Sequence, residues 1–110
     1  MASENYDVIA SAFPADTTEV SLYEVQEGEQ IIANVVVCNQ SAAAVTFRLG
    51  VASGAGAAES RNWLEYDVEV AANKPTRVAI VAGPGRDIRI RAGTASTLSF
   101  VLMGCRRKLS

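Results

Sequence analysis

The run Ile31-Ile32-Ala33-Asn34-Val35-Val36-Val37-Cys38 limits what this chain can fold into more than any other stretch. It is β-branched at most positions, and β-branched side chains are stiff and pack well on a pleated surface. As a strand it places Ile31, Ala33, Val35 and Val37 on one face and Ile32, Asn34, Val36 and Cys38 on the other. Both faces are mainly apolar, whereas a strand with one face in water shows polar alternation. The strand is therefore either central and covered on both sides, or one of its faces is a partner surface. Gln26-Glu27-Gly28-Glu29 before it reads as a tight reversal, with Gly28 supplying positive φ. Asn39-Gln40-Ser41 after it is turn chemistry.

The rest of the chain reads as further strands laid against this one. Tyr6–Phe13 is the first, ended by Pro14. Thr18–Val25 alternates, and so does Val45–Val51, with Val45, Phe47, Leu49 and Val51 turned one way. The small residues of Ala52–Arg61 form the longest loop, with room for a helical turn at Ala57–Arg61. Trp63–Val70 alternates cleanly, which predicts Leu64, Tyr66, Val68 and Val70 inward and Trp63, Glu65, Asp67 and Glu69 outward. Thr76–Ala82 follows, with Val78 and Ile80 inward, and Gly83-Pro84-Gly85 then reads as a hairpin turn. Arg86–Ala92 points Ile88 and Ile90 inward and Asp87, Arg89 and Arg91 outward. Thr97–Met103 is the last strand, with Leu98, Phe100 and Leu102 on one face.

About eight short strands at ten-residue spacing, without helical periodicity, predict an all-β fold. The expected architecture is an antiparallel two-sheet sandwich, either a jelly-roll or an Ig-like Greek key. Residues 1–110 read as a single β-sandwich domain with a short N-terminal arm (1–5) and a basic C-terminal tail (105–110).

Charge is lopsided along the chain. Residues 1–47 hold seven acids and no Lys or Arg, while residues 48–110 hold all ten bases and five acids. If the strands interleave, the charges largely cancel; if not, the protein is a dipole suited to head-to-tail docking. The segment Met1-Ala2-Ser3-Glu4-Asn5 has no basic n-region and no long apolar run follows it, so no secretion signal and no membrane span are expected. A reducing cytosol then favours Cys38 and Cys105 as two buried free thiols, although a disulfide stays possible if their strands are neighbours.

Little points to chemistry. Histidine is absent, which removes the usual catalytic triads, most zinc sites and the imidazole partner a nucleophilic cysteine needs. We expect no catalytic residue, no metal and no cofactor. Glu65, Asp67 and Glu69 would line up on one strand face, where a hard cation could sit. The ordinary alternative, which we favour, is a solvated face opposite Arg48, Arg77, Arg89 or Arg91. Gly83-Pro84-Gly85-Arg86 lacks the Gly-Lys-Ser/Thr ending of a phosphate loop. With a pI near 5.0 and 6% aromatics, nucleic acid is not an expected partner.

Four motifs then carry a resemblance. Leu22-Tyr23-Glu24-Val25-Gln26-Glu27-Gly28 leads into the β-branched strand, Val37-Cys38-Asn39-Gln40-Ser41 leaves it, and Trp63-Leu64-Glu65-Tyr66-Asp67 is followed by the Arg86-Asp87-Ile88-Arg89-Ile90-Arg91-Ala92 segment. Together these resemble small β-sandwich virion structural proteins of tailed bacteriophages, over roughly residues 20 to 104. Gln26 departs from the pattern, which often has Pro there. The resemblance implies a non-enzymatic protein located in the virion and assembled in the host cytoplasm. Its best fit is a capsid decoration or cement protein, a homo-dimer or homo-trimer whose partner is the major capsid protein. A tail, baseplate or fibre accessory module is the alternative. A carbohydrate-binding or adhesin domain, with Trp63 stacking on a sugar, is a further one.

The residues expected at an interface follow from these readings. Ile32, Asn34 and Val36 belong to the surplus apolar face, and Trp63 is the aromatic expected to be partly exposed. Arg89 and Arg91 with Arg106, Arg107 and Lys108 supply positive charge for an acidic protein partner.

Overall fold

A computed structural model describes residues 3–54 and 58–108. Eight strands follow in order: β1 (Ser3–Ala12), β2 (Val20–Glu24), β3 (Glu29–Asn39), β4 (Val45–Ala52), β5 (Trp63–Val70), β6 (Pro75–Ala82), β7 (Asp87–Ala92) and β8 (Leu98–Lys108). They form two antiparallel four-stranded sheets, ordered β1-β8-β3-β6 and β2-β7-β4-β5. First pairs with eighth, second with seventh, third with sixth and fourth with fifth, as if one long hairpin had been rolled up. That order makes the sandwich a jelly roll rather than an Ig-like fold.

β3 is central in its sheet, between β8 and β6. Ile31, Val35 and Val37 on its inner face are fully buried. They meet Leu98, Phe100 and Leu102 of β8 and, across the sandwich, Phe47 and Leu49 of β4 and Ile88 and Ile90 of β7. Phe47 and Phe100 bridge the sheets edge to face, with ring centroids 6.3 Å apart, an arrangement that adds about 1 kcal/mol to their burial.

Among the described residues only β4 and β5 are consecutive strands of one sheet, and the other connections cross between sheets. Two crossings use the expected glycines. Glu29 N–H donates to the Gln26 carbonyl at 3.2 Å, with Gly28 at φ 75°. Arg86 N–H donates to the Gly83 carbonyl at 3.3 Å, with Gly85 at φ 79°. The Gly83-Pro84-Gly85 segment is thus a turn but not a hairpin. β6 belongs to the first sheet and β7 to the second, and hydrogen bonds from Gly85 N–H to Val25 and from Val25 N–H to Arg86 anchor the crossing to the end of β2.

Asn39, fully buried at the end of β3, holds a third crossing. Its Nδ2 donates to the carbonyls of Ala43 at 2.8 Å and Val70 at 3.0 Å. Its Oδ1 accepts from the Ser41 N–H at 2.9 Å and the Ser41 hydroxyl at 2.8 Å. One side chain thereby shapes the turn out of β3 and ties it to the end of β5 in the opposite sheet.

β5 departs from the clean alternation its sequence suggests. Val68 pairs with Phe47, but Tyr66, not Asp67, pairs with Arg48, and the register slips again between Leu49 and Gly50. Asp67 takes up the first slip as a bulge in the left-handed region, at φ 53°. Each slip moves the following side chains to the other face. Leu64 and Tyr66, expected inward, are therefore about half exposed, at 52% and 55%. Glu65, Asp67 and Glu69 do not share a face: Glu65 pairs with buried Leu49, and Glu69 with outward Thr46.

Other expectations are also revised. Asp87 lies on the outer side of β7 yet is buried, because Ser21 and Arg89 close over it. β8 does not stop at Met103 but runs to Lys108, since β1 and β3 continue its ladder on both sides. Residues 105–108 are therefore strand rather than tail, and Ser3, Glu4 and Asn5 belong to β1. The helical turn near Ala57–Arg61 is a single 3₁₀ turn at Ser60–Asn62, with Ala57 itself outside the described residues. Cys38 and Cys105 lie on paired strands, but Cys38 faces Ser99 and Cys105 faces Ile32. They are six positions apart along the ladder, about 20 Å, so no disulfide joins them. Cys105 is buried and Cys38 only half-buried.

The charges interleave. β8, with Arg106 and Arg107, lies between β1 and β3, and β7, with Arg89 and Arg91, between β2 and β4. Ion pairs Arg89–Glu19 at 2.9 Å and Arg106–Glu29 at 3.6 Å join the basic half of the chain to the acidic half.

Asn39→Ala removes the side-chain hydrogen bonds to the Ala43 and Val70 carbonyls and to Ser41. We expect it to lower unfolding free energy by about 2–4 kcal/mol, and Ser41→Ala by about 1 kcal/mol. Urea unfolding of both variants measures the difference.

Candidate interaction surface

The outer face of the first sheet is apolar over its middle rows. Register aligns Tyr6, Cys105, Ile32 and Val81 in one row, then Val8, Met103, Asn34 and Ala79, then Ser11, Val101, Val36 and Arg77. Tyr6 is 74% exposed, Val81 66%, Val8 52% and Ile32 51%. Four strands by about seven residues span roughly 450 Å² in plan, the size of patch that commonly marks an interaction site. The surface offers burial rather than chemistry. Arg107, in register with Gln30, sits exposed at one end of it.

On the outer face of the second sheet the charged groups are paired with one another, beside the exposed Leu64 and Tyr66 of β5. Arg89 donates from Nε to Glu19 at 2.9 Å and from Nη1 to Asp87 at 3.1 Å. The Ser21 hydroxyl donates to the other Asp87 oxygen, and Ala58 N–H donates to Glu19 at 2.8 Å. Arg91 donates to the Thr17 carbonyl at 2.8 Å. Arg48 makes a two-pronged contact with Asp67, at 2.7 and 3.1 Å, and lies 4.0 Å from the centre of the Tyr66 ring. The hydrogen bond from Arg48 holds the Asp67 carboxyl below its ordinary value.

Trp63 is half-buried beside this network. Its ring lies against the backbone of Gly50, where a Cβ would come within 2.9 Å of Trp63 Cε3 and 2.7 Å of the Asn62 carbonyl. The ring meets Tyr66 edge to face at 6.0 Å. Trp63, Tyr66, Arg48, Glu19, Ala58 and Ser60 line an open recess of about 530 Å³.

A third cluster closes one end of the sandwich. Buried Glu29 accepts from the Tyr23 hydroxyl at 2.6 Å and the Gln26 N–H at 3.2 Å, with Arg106 beyond. Burial first, and then the bond to Glu29, push the Tyr23 hydroxyl above its ordinary pKa.

The nine residues expected at an interface therefore fall in separate places. Ile32, Asn34, Val36 and Arg107 share the first sheet's outer face. Trp63, Arg89 and Arg91 lie on the second sheet, with Arg89 engaged by Glu19 and Asp87. Arg106 turns toward Glu29, and Lys108 is exposed at the end of β8. Tyr6, Val8, Val81 and Met103 complete the apolar face and escaped the sequence reading. Each sits at an outward alternation position, but only strand order shows that they flank Ile32. Among the described residues, no three His, Cys, Asp or Glu side chains gather where they could hold a metal ion. No helix among them is long and apolar enough to cross a membrane.

No protein-family model matches the chain, and no curated protein matches it in sequence. Solved structures share its fold. A protein of the disulfide-linked pili of Bacillus endospore appendages is 15% identical with a TM-score of 0.64, over 99% of this chain and 89% of its own. A protein of the T13 infectious bursal disease virus particle is 5% identical with a TM-score of 0.58, over 98% of this chain and 31% of its own. A protein of the infectious bursal disease virus Gx strain is 11% identical with a TM-score of 0.53, over 97% of this chain and 32% of its own. This chain thus spans less than a third of each viral chain. At such identities the likeness shows the fold alone.

The Tyr23–Glu29 contact predicts a pH dependence. Folding favours the neutral phenol, so its stabilisation is complete below the ordinary tyrosine pKa and is lost as pH rises through the higher folded value. Tyr23→Phe should cost about 1–2 kcal/mol at pH 7. It should also flatten the fall in stability above about pH 10, as read from denaturant midpoints across pH 7 to 11.

Proposed function

We propose that this chain is a non-enzymatic virion structural protein, a capsid decoration or cement protein of a tailed bacteriophage. In this reading it binds the outer surface of the head and stabilises contacts between major capsid proteins. The observation that carries the reading is the apolar face around Ile32, Tyr6, Val8 and Val81, whose side chains are half or more exposed and aligned across three neighbouring rows of one sheet. An isolated domain gains nothing from such a face, whereas a subunit that clamps neighbours uses it. The sequence resemblance supports the same role. So do the assemblies its fold neighbours come from, a viral particle and a pilus.

The recess at Trp63 supports a second reading, a glycan-binding module. An aromatic ring beside Arg48, Glu19 and Ser60 combines a stacking surface with hydrogen-bonding groups.

Purified protein should co-sediment with expanded, undecorated heads and not with free capsid monomers. Ile32→Lys, at an exposed position, should weaken that binding at least tenfold while leaving the melting temperature nearly unchanged. Absence of binding by the wild-type protein at micromolar concentration would sink the cement role. Retention on a glycan array that Trp63→Ala abolishes, with head binding absent, would establish the second reading in its place.

A further inference from the structure

The four sheet edges are not equivalent. An unpaired edge strand is a template for another chain, and proteins blunt such edges with bulges, charge or proline. β1 is interrupted between Val8 and Ala10, β2 between Ser21 and Tyr23, and β5 twice, with Asp67 bulged out. β6 alone matches its neighbour residue for residue, from Ile31↔Ala82 to Cys38↔Pro75. Its stretch Val78-Ala79-Ile80-Val81-Ala82 has no charge and no proline. Among the described residues its one neighbour in the sheet is β3.

The phase of the ladder shows what this edge offers. Asn39 N–H donates to the Lys74 carbonyl at 2.9 Å, one step beyond the Cys38↔Pro75 pair. In an antiparallel pair, hydrogen-bonded and non-bonded positions alternate. Thr76, Val78, Ile80 and Ala82 therefore turn their backbone groups to β3, and Pro75, Arg77, Ala79 and Val81 turn theirs to the free side. Pro75, which has no N–H, falls in the free set, where the ladder to β3 does not need one.

We propose that this edge pairs with β6 of a second copy of the chain, antiparallel about a two-fold axis at Ala79. Arg77 then faces Val81 of the second copy, Ala79 faces Ala79, and Val81 faces Arg77. All three pairs are of the hydrogen-bonding kind, so six backbone hydrogen bonds form. A register centred on Arg77 would instead set like charges opposite each other, which is destabilising. A second copy is the occupant because the backbone phase of this edge is complementary to itself and this register sets no like charges opposite each other. The two sheets become one of eight strands, and their apolar outer faces become continuous. The inference stands on the strand edges alone and holds wherever the protein acts.

Sedimentation equilibrium of the full chain over about 5–200 µM tests it. The wild type should be a dimer. Ala79→Pro removes a free-side N–H without touching the β3 ladder and should raise the dimer Kd at least tenfold. Val81→Lys places a second cation opposite Arg77 of the partner copy and should weaken the dimer similarly. Val81→Glu places an anion there and should preserve or tighten it. Ile32→Lys, on the face rather than the edge, should leave the dimer intact. Circular dichroism checks folding, and if Ala79→Pro fails to fold, the Val81 pair decides. A monomeric wild type, equal effects of Lys and Glu at Val81, or loss of the dimer in Ile32→Lys alone would overturn the proposal.

Discussion

A jelly roll carries its chain back and forth between two sheets, and each crossing takes backbone polar groups past the edge of an apolar core. Those groups must be hydrogen-bonded, because an unsatisfied one costs about 1–3 kcal/mol. The buried polar residues of this protein stand where that demand arises. Glu29 opens β3 after the crossing from β2, and Asn39 closes β3 before the crossing to β4. Asp87 opens β7 after the crossing from β6, and Thr97 immediately precedes β8 after the crossing from β7. Each has a partner: Asn39 binds Ala43, Val70 and Ser41, Glu29 binds Tyr23 and Gln26, Asp87 binds Ser21 and Arg89, and Thr97 binds the Thr94 carbonyl. The packing between the sheets depends on these ties.

The same winding accounts for the charge pattern. Because first pairs with eighth and second with seventh, the acidic N-terminal strands lie beside the basic C-terminal ones. Segregation along the chain becomes alternation across each sheet. The arginines of β7 are drawn into the ion pairs and hydrogen bonds of the second sheet's outer face, and the first sheet's outer face keeps its apolar middle. The two faces thereby differ in kind: the charged groups of one are paired internally, and the other exposes a continuous apolar middle.

Strands whose residues follow a strict period were legible in the sequence. Val45–Val51 and Arg86–Ala92 alternate, Ile31–Cys38 announces itself by its β-branched run, and their inward side chains are the core. The turn glycines Gly28 and Gly85 were legible for a local reason, their positive φ. β5 was not. Its pattern is a perfect alternation, yet two register slips against β4 turn Leu64 and Tyr66 outward. A slip belongs to a pair of strands, and one strand's sequence does not contain it. The apolar face was half legible for the same reason: Ile32 and Val36 showed a surplus face, while Tyr6, Val8 and Val81 joined it only once β8 and β6 were known to flank β3.

What the sequence determined by itself was therefore local: strand identity, the inner face of each regular strand, and the positions of the turns. These follow from side-chain stereochemistry and alternation, which act over a few residues. Tertiary structure alone decided the jelly roll over the Ig-like order and made the Gly83–Arg86 turn a crossing rather than a hairpin. It also separated Cys38 from Cys105 and buried Asn39, Glu29 and Asp87. Each of these is a relation between segments far apart in the chain. Such relations are set by which pairing buries the most apolar surface while leaving no backbone group without a partner.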